Sequence, residues 1–111
     1  MDIDGFVRSF LHSISSLEFV HGVTFHSEAF IVKGRVILAK DRFIQVYLNG
    51  RTGTVAFAMI GDGSRIWGID SDSIRGWHEH PVANPSLHIP ISPVDGSGLA
   101  QKIASAWNEL P

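Results

Sequence analysis

The chain has 111 residues, of which 44% are hydrophobic and 18% charged, and its formal net charge is −2. That length and balance fit one globular domain, residues 1–111, with a single core and no bulk electrostatic pull toward nucleic acid. The absence of cysteine excludes disulfides, thiolate catalysis and cysteine-based zinc sites.

Charges interrupt every apolar run before membrane-spanning length, and no basic segment leads into an apolar one at the N-terminus. Neither a membrane span nor a standard secretion signal is expected, so the cytoplasm is the default location. Mean hydropathy is slightly positive, which points to apolar surface covered by a partner, with a second copy of the chain as the expected one.

Ile3, Phe6, Val7, Phe10, Leu11, Ile14 and Leu17 recur at spacings of three and four and predict an amphipathic helix over 3–17. Asp2 and Asp4 stand where a cap and the positive helix end favour carboxylates. From about Glu18 the period becomes two. Phe19, Val23 and Phe25 predict a first strand. In the run from Phe30 to Ala39, Phe30, Val32, Val36 and Leu38 share one face, and Ile31, Lys33, Arg35 and Ile37 share the other.

Lys40-Asp41 predicts a tight connection into a strand over 42–48, and Asn49-Gly50 to Gly53 predicts a turn. Strands are expected at 54–60 and 65–69, separated by Gly61-Asp62-Gly63-Ser64. Asp70-Ser71-Asp72-Ser73 reads as a loop, and short extended pieces are expected at 75–80 and 87–91. Pro81, Pro85, Pro90 and Pro93 forbid a long central strand there. Asp95 or Ser97 then caps a final helix whose apolar face carries Leu99, Ile103, Ala106, Trp107 and Leu110.

The expected architecture is α+β: an antiparallel β-meander of about five to seven strands with an N-terminal and a C-terminal helix on one face. Strand 54–60 is apolar on both sides, with Ala56, Ala58 and Ile60 opposite Val55, Phe57 and Met59. Two short helices cannot cover that much apolar sheet, so a homodimer packed sheet on sheet, or a sheet curled closed on itself, is expected.

The stretch most suggestive of chemistry is Gly76-Trp77-His78-Glu79-His80-Pro81, followed by His88. Residues two apart in an extended segment point the same way, about 6–7 Å apart. His78 and His80 therefore suit one ion or one phosphate, and His88 joins them if its strand pairs with theirs. Three histidines are enough protein ligands for a zinc ion that keeps an open position. The same residues also suit the exposed side of a proline-rich loop. Trp77 alternates away from the histidines and reads as a core anchor.

A strand ending in Trp67-Gly68-Ile69-Asp70, a polar loop, His78-x-His80-Pro81, then His88 and a terminal helix together resemble the small TumE-like proteins of toxin–antitoxin operons. The resemblance runs from about Ala29 to Trp107. Family members often carry Asp-Asn where this chain has Asp70-Ser71, and a His-x-His pair whose second position is Pro90 here. The resemblance implies a toxin, of an RNA-cleaving kind, neutralised by a cognate antitoxin. Metal-free RNA cleavage needs a base, an acid and a cation for the phosphate. On that reading His78 and His80 are the acid–base pair, Asp70 orients an imidazole, Arg75 or Arg65 holds the phosphate, and His88 adds to substrate binding. No cofactor is then needed, whereas the metal reading calls for zinc on His78, His80 and His88. A non-catalytic interaction module is the third reading.

Lys33, Arg35, Arg42 and Arg51 form a basic set, Lys33 and Arg35 on one strand face. It suits phosphates or an acidic partner, and equally the wet side of a sheet.

Overall fold

The computed structural model describes residues 2–111. Helix α1 (Ile3–Ile14) is followed by β1 (Val20–Glu28), β2 (Ile31–Leu38), β3 (Phe43–Asn49), β4 (Thr54–Gly61), β5 (Ser64–Asp72), β6 (Gly76–His80) and β7 (Ile89–Pro90), and α2 (Gly96–Glu109) closes the chain. The strands lie in one sheet in sequence order, and every neighbouring pair is antiparallel. The α+β meander with terminal helices expected from periodicity is the fold observed.

Local chemistry accounts for the element ends. The Asp2 carboxylate accepts the Gly5 N–H at 3.0 Å, and Asp95 accepts the Gly98 N–H at 2.7 Å. Each such cap is worth about 1 kcal/mol. Helix α1 stops at Ile14 rather than Leu17. The hydroxyls of Ser15 and Ser16 donate to the His12 and Ser13 carbonyls just there, offering the backbone an alternative to another helical turn. Lys40 and Asp41 take φ of 60° and 57°, and Asp62 and Gly63 take 52° and 75°. Two consecutive left-handed residues make the two-residue connection that matches sheet twist.

One expectation is corrected. Asp70, Ser71 and Asp72 belong to strand β5, not to a loop. The β4 and β6 ladders hold Asp70 and Ser71 from both sides, through Ala56 and His78 and through Val55 and Trp77. Pairing on both edges overrides the weak strand preference of these polar residues. The chain reverses one step later, where Asp72 Oδ1 accepts the N–H groups of Ile74 at 2.9 Å and Arg75 at 2.7 Å.

The two faces of the sheet differ in cover. Val55, Phe57 and Met59 of β4 are buried with Ile44, Val46, Trp67 and Ile69 in the core shared with Phe10, Ile14, Leu99 and Ile103 of the helices. Phe10 meets Phe57 edge-on at 5.1 Å. Gly96 lets α2 start against α1, because a Cβ there would overlap the Phe10 backbone nitrogen. Trp107 stacks on Phe19 at 4.4 Å and 3°, and the Arg42 guanidinium lies over its ring.

The outer face carries no helix. Ala56, Ala58 and Ile60 are half-buried there. The sheet is open, with β1 and β7 as its edges, so it does not close on itself. Among the described residues no helix is long and apolar enough to cross a membrane.

Candidate metal centre

The site forms where β5, β6 and β7 meet on the outer face. In the β5–β6 ladder Asp70 pairs with His78 and Gly68 with His80, while His78 pairs with Pro90 of β7. Cross-strand partners share a face, so Asp70, His78 and His80 project together, opposite the side that bears the helices. The alternation that turns the two histidines outward turns Trp77 and Glu79 inward. Glu79 there accepts the Trp67 indole N–H at 2.8 Å and lies 3.5 Å from the Lys102 ammonium of α2. These contacts brace β6 against the core.

His78 and His80 are only 3% and 1% exposed although no helix covers them. The segment 81–88 folds back over their side, held by backbone bonds from Asn84 to Pro81 and from Leu87 to Asn84. His88 returns with it. The ring centroids of His78 and His80 are 5.2 Å apart, His78 and His88 5.2 Å, and His80 and His88 4.7 Å. One ring nitrogen from each of the three lies within 4.8 Å of the others. The convergence that the His-x-His spacing could only suggest is therefore present.

The hydrogen bonds decide which nitrogen faces inward. His78 Nδ1 is 3.0 Å from the Gly76 carbonyl oxygen, and His80 Nδ1 is 3.0 Å from that of Pro85. A carbonyl only accepts, so both Nδ1 atoms carry protons. A neutral ring then presents a bare Nε2 lone pair, and both Nε2 atoms point at Asp70 Oδ2, at 3.5 Å from His78 and 2.9 Å from His80. A lone pair facing a carboxylate at 2.9 Å needs a positive species between them, either a proton or a metal ion.

The two arginines also land at this end of the sheet. Arg75 Nη1 lies 3.1 Å from His88 Nε2. Guanidinium only donates, so His88 accepts there. Desolvation, then the charge of Arg75, holds the His88 imidazole below its ordinary pKa and favours the neutral ring. Arg65 donates to the Pro85 carbonyl at 3.3 Å, the same oxygen that anchors His80. Thus Asp70, Arg75, Arg65, His78, His80 and His88 form one connected constellation.

Sequence reasoning missed the anchors. The Gly76 and Pro85 carbonyls leave no side-chain signature, and Glu79 stood between the histidines without an assigned role. The strict alternation of β6, which puts Glu79 opposite in direction to its neighbours, was the signal for the last of these.

Compared with known proteins, the chain matches no family model, no curated protein and no solved structure.

Proposed function

We infer that this chain is a metal-binding protein that holds a divalent transition ion of the zinc class between His78, His80 and Asp70, with the exposed His88 beside the open fourth position. One observation carries the reading. Two buried imidazoles are each tied through Nδ1 to a backbone carbonyl and aim Nε2 at one carboxylate oxygen. Histidines that ligate metals are typically oriented by such a bond from the other ring nitrogen.

The spacing suits an ion. Tetrahedral zinc with bonds of about 2.0–2.1 Å to nitrogen places its donor atoms about 3.3 Å apart. The distances of 2.9 and 3.5 Å to Asp70 Oδ2 bracket that value. Two histidines and one carboxylate with an open side also fit the ligand set of ferrous centres.

Burial points the same way. Side chains 3% and 2% exposed are reachable by a small ion more readily than by a phosphodiester. While His88 stays on Arg75, three donors remain and the fourth position faces solvent, the pattern of a catalytic zinc rather than a structural one. An ion held so supplies Lewis acidity and lowers the pKa of a bound water toward about 7. The chain's own groups hold that ion, set its charge through Asp70, and leave His88 and Arg75 at the open side.

The test is metal analysis and zinc titration of tag-free protein beside His78→Ala/His80→Ala. One equivalent bound by the natural chain and none by the double variant is expected. Failure of zinc, iron and manganese alike to bind stoichiometrically overturns the reading.

A second reading, a toxin-like ribonuclease with His78 and His80 as acid and base, draws support from Arg75 and Arg65 lying beside the histidines. The buried rings weigh against it, since a general base must come within hydrogen-bond reach of the proton it takes. RNA cleavage that persists in chelator and disappears in the double variant would favour it.

A further inference from the structure

The strand register carries a relationship that extends beyond the centre itself. Reading across the ladders, His26, Lys33, Tyr47, Ala56, Asp70 and His78 form one continuous row over six strands. The adjacent same-face row is Thr24, Arg35, Gln45, Ala58, Gly68 and His80. Each row thus begins near a basic side chain, crosses small residues, and ends at the candidate metal centre.

The far end of these rows is a groove of about 580 Å³ lined by His26, Lys33, Arg35, Gln45 and Tyr47 among others. Lys33 and Arg35 are exposed. Among the described residues neither has a carboxylate at ion-pair distance, and the Glu28 carboxylate lies 3.9 Å from His26 Nε2. Arg35 is exposed and its guanidinium rests over the Phe43 ring at 4.4 Å. The other two members of the basic set are engaged elsewhere, Arg42 over Trp107 and Arg51 over Phe30.

We propose that this outer face is a binding trough for single-stranded nucleic acid, with Lys33 and Arg35 holding phosphates at one end and the metal centre meeting the same chain at the other. The proposal rests on the metal reading for its second end, because the bare Asp70 carboxylate would repel a phosphate and a bound cation would attract it.

Distance selects the ligand class. Strands lie about 4.8 Å apart, so Lys33 to Asp70 spans three spacings, about 14 Å, and Arg35 to His80 four, about 19 Å. A small anion satisfies one end only. A ligand with anionic groups repeating along its length satisfies both. The floor between them is Ala56 and Ala58, Tyr47 stands in the row between Lys33 and Ala56, and the Arg65 side chain crosses over Gly68 to reach the Pro85 carbonyl, adding a cation beside the path. A cationic groove with an aromatic ring for a base to stack on is the recurrent platform for unpaired strands. A duplex, rigid and wide, fits such a trough less well.

The decisive measurement is fluorescence anisotropy of a short labelled single-stranded oligonucleotide at low salt, with and without zinc. The natural chain is compared with Lys33→Glu/Arg35→Glu, and zinc uptake of both is measured in parallel. Both side chains are exposed, so the variant keeps its fold and its zinc. The expected results are tighter binding with zinc and a Kd raised at least about tenfold in the variant. The salt slope should also become shallower by about 1.4, from two phosphate contacts at about 0.7 each. Absence of binding by the zinc-loaded natural chain, or an unchanged Kd in the variant, overturns the trough and leaves the metal reading intact. Equal binding of a polyglutamate of matched charge overturns the assignment to nucleic acid. Oligonucleotide binding that depends on Lys33 and Arg35 in a chain that takes up no zinc upholds the basic end and removes the metal one.

Discussion

Asp70 pairs with His78 across the β5–β6 ladder, yet its Oδ2 lies closer to His80, at 2.9 Å against 3.5 Å. The carboxylate therefore leans along the sheet toward a diagonal neighbour, and it does so because both imidazoles have been turned by their Nδ1 anchors to offer Nε2 to the same point. That convergence makes the site responsive to a cation, and the consequences are measurable.

Zinc should stabilise the natural chain and leave His78→Ala/His80→Ala unmoved. At a free concentration of about 100 times Kd the gain is about 2.7 kcal/mol. For a domain of this size that is a rise in Tm on the order of 10 °C, readable by thermal melting with and without chelator. A double variant that gains as much as the natural chain places the ion elsewhere.

Zinc affinity should fall as pH is lowered, because protons compete for the ligating nitrogens. His88 stays neutral to lower pH than an ordinary histidine, its value held down by desolvation and then by Arg75. Since its folded-state value lies below the unfolded one, the unfolded chain binds the proton first. Stability then declines as pH falls below about 6.5. Titration of the His88 ring proton by NMR checks the direction, and Arg75→Gln should move it upward.

Asp72 responds to acid with the carboxylate sign. The N–H groups of Arg75 and then Ile74 hold its carboxyl below the ordinary value of 3.8. Its contribution is present above that ordinary value and lost as pH falls through the lowered one. Asp72→Ala removes both bonds, frees the turn that sets Arg75, and should flatten this part of the acid-unfolding curve. An acid limb identical to that of the natural chain would contradict it.

Gly68→Ala tests how closely the sheet fits the His80 ring. A Cβ at Gly68 would stand 3.0 Å from the Phe57 carbonyl oxygen and 3.5 Å from His80 Cδ2. The contact with His80 is an ordinary one, but the Phe57 carbonyl must give by a few tenths of an ångström, and a shift of β5 there, at a cost of about 1–3 kcal/mol, passes through the Gly68–His80 pair to the ring. Displacing an oriented ligand costs roughly tenfold or more in metal affinity. Calorimetric zinc titration of a folded Gly68→Ala chain reads this directly, and an affinity equal to the natural one removes Gly68 from the site.

The helices, the hairpins and the histidine pair were legible in order along the chain because each is a local matter. The period of α1 follows from Ile3 to Ile14, the positive-φ turns from Lys40-Asp41 and Asp62-Gly63, and the shared direction of His78 and His80 from their spacing of two. The misread segment, Asp70 to Ser73, is the instructive one. Its polar composition resembles a loop, and only pairing draws it into the sheet, with β4 and β6 on both edges for Asp70 and Ser71 and with β6 alone for Asp72. The candidate centre depends on that extension, since Asp70 faces His78 only if β5 continues to it.

By itself, then, the sequence determined which residue types stand at which alternation and where the chain turns, because backbone preference and hydrophobic period act over a few neighbours. Tertiary structure decided the register. Pairing set Asp70 against His78 and aligned Lys33 and Arg35 with the same rows. Folding of segment 81–88 brought the Pro85 carbonyl and His88 to the site. These contacts join residues far apart in sequence through backbone groups that every residue carries, so no side-chain pattern could announce them.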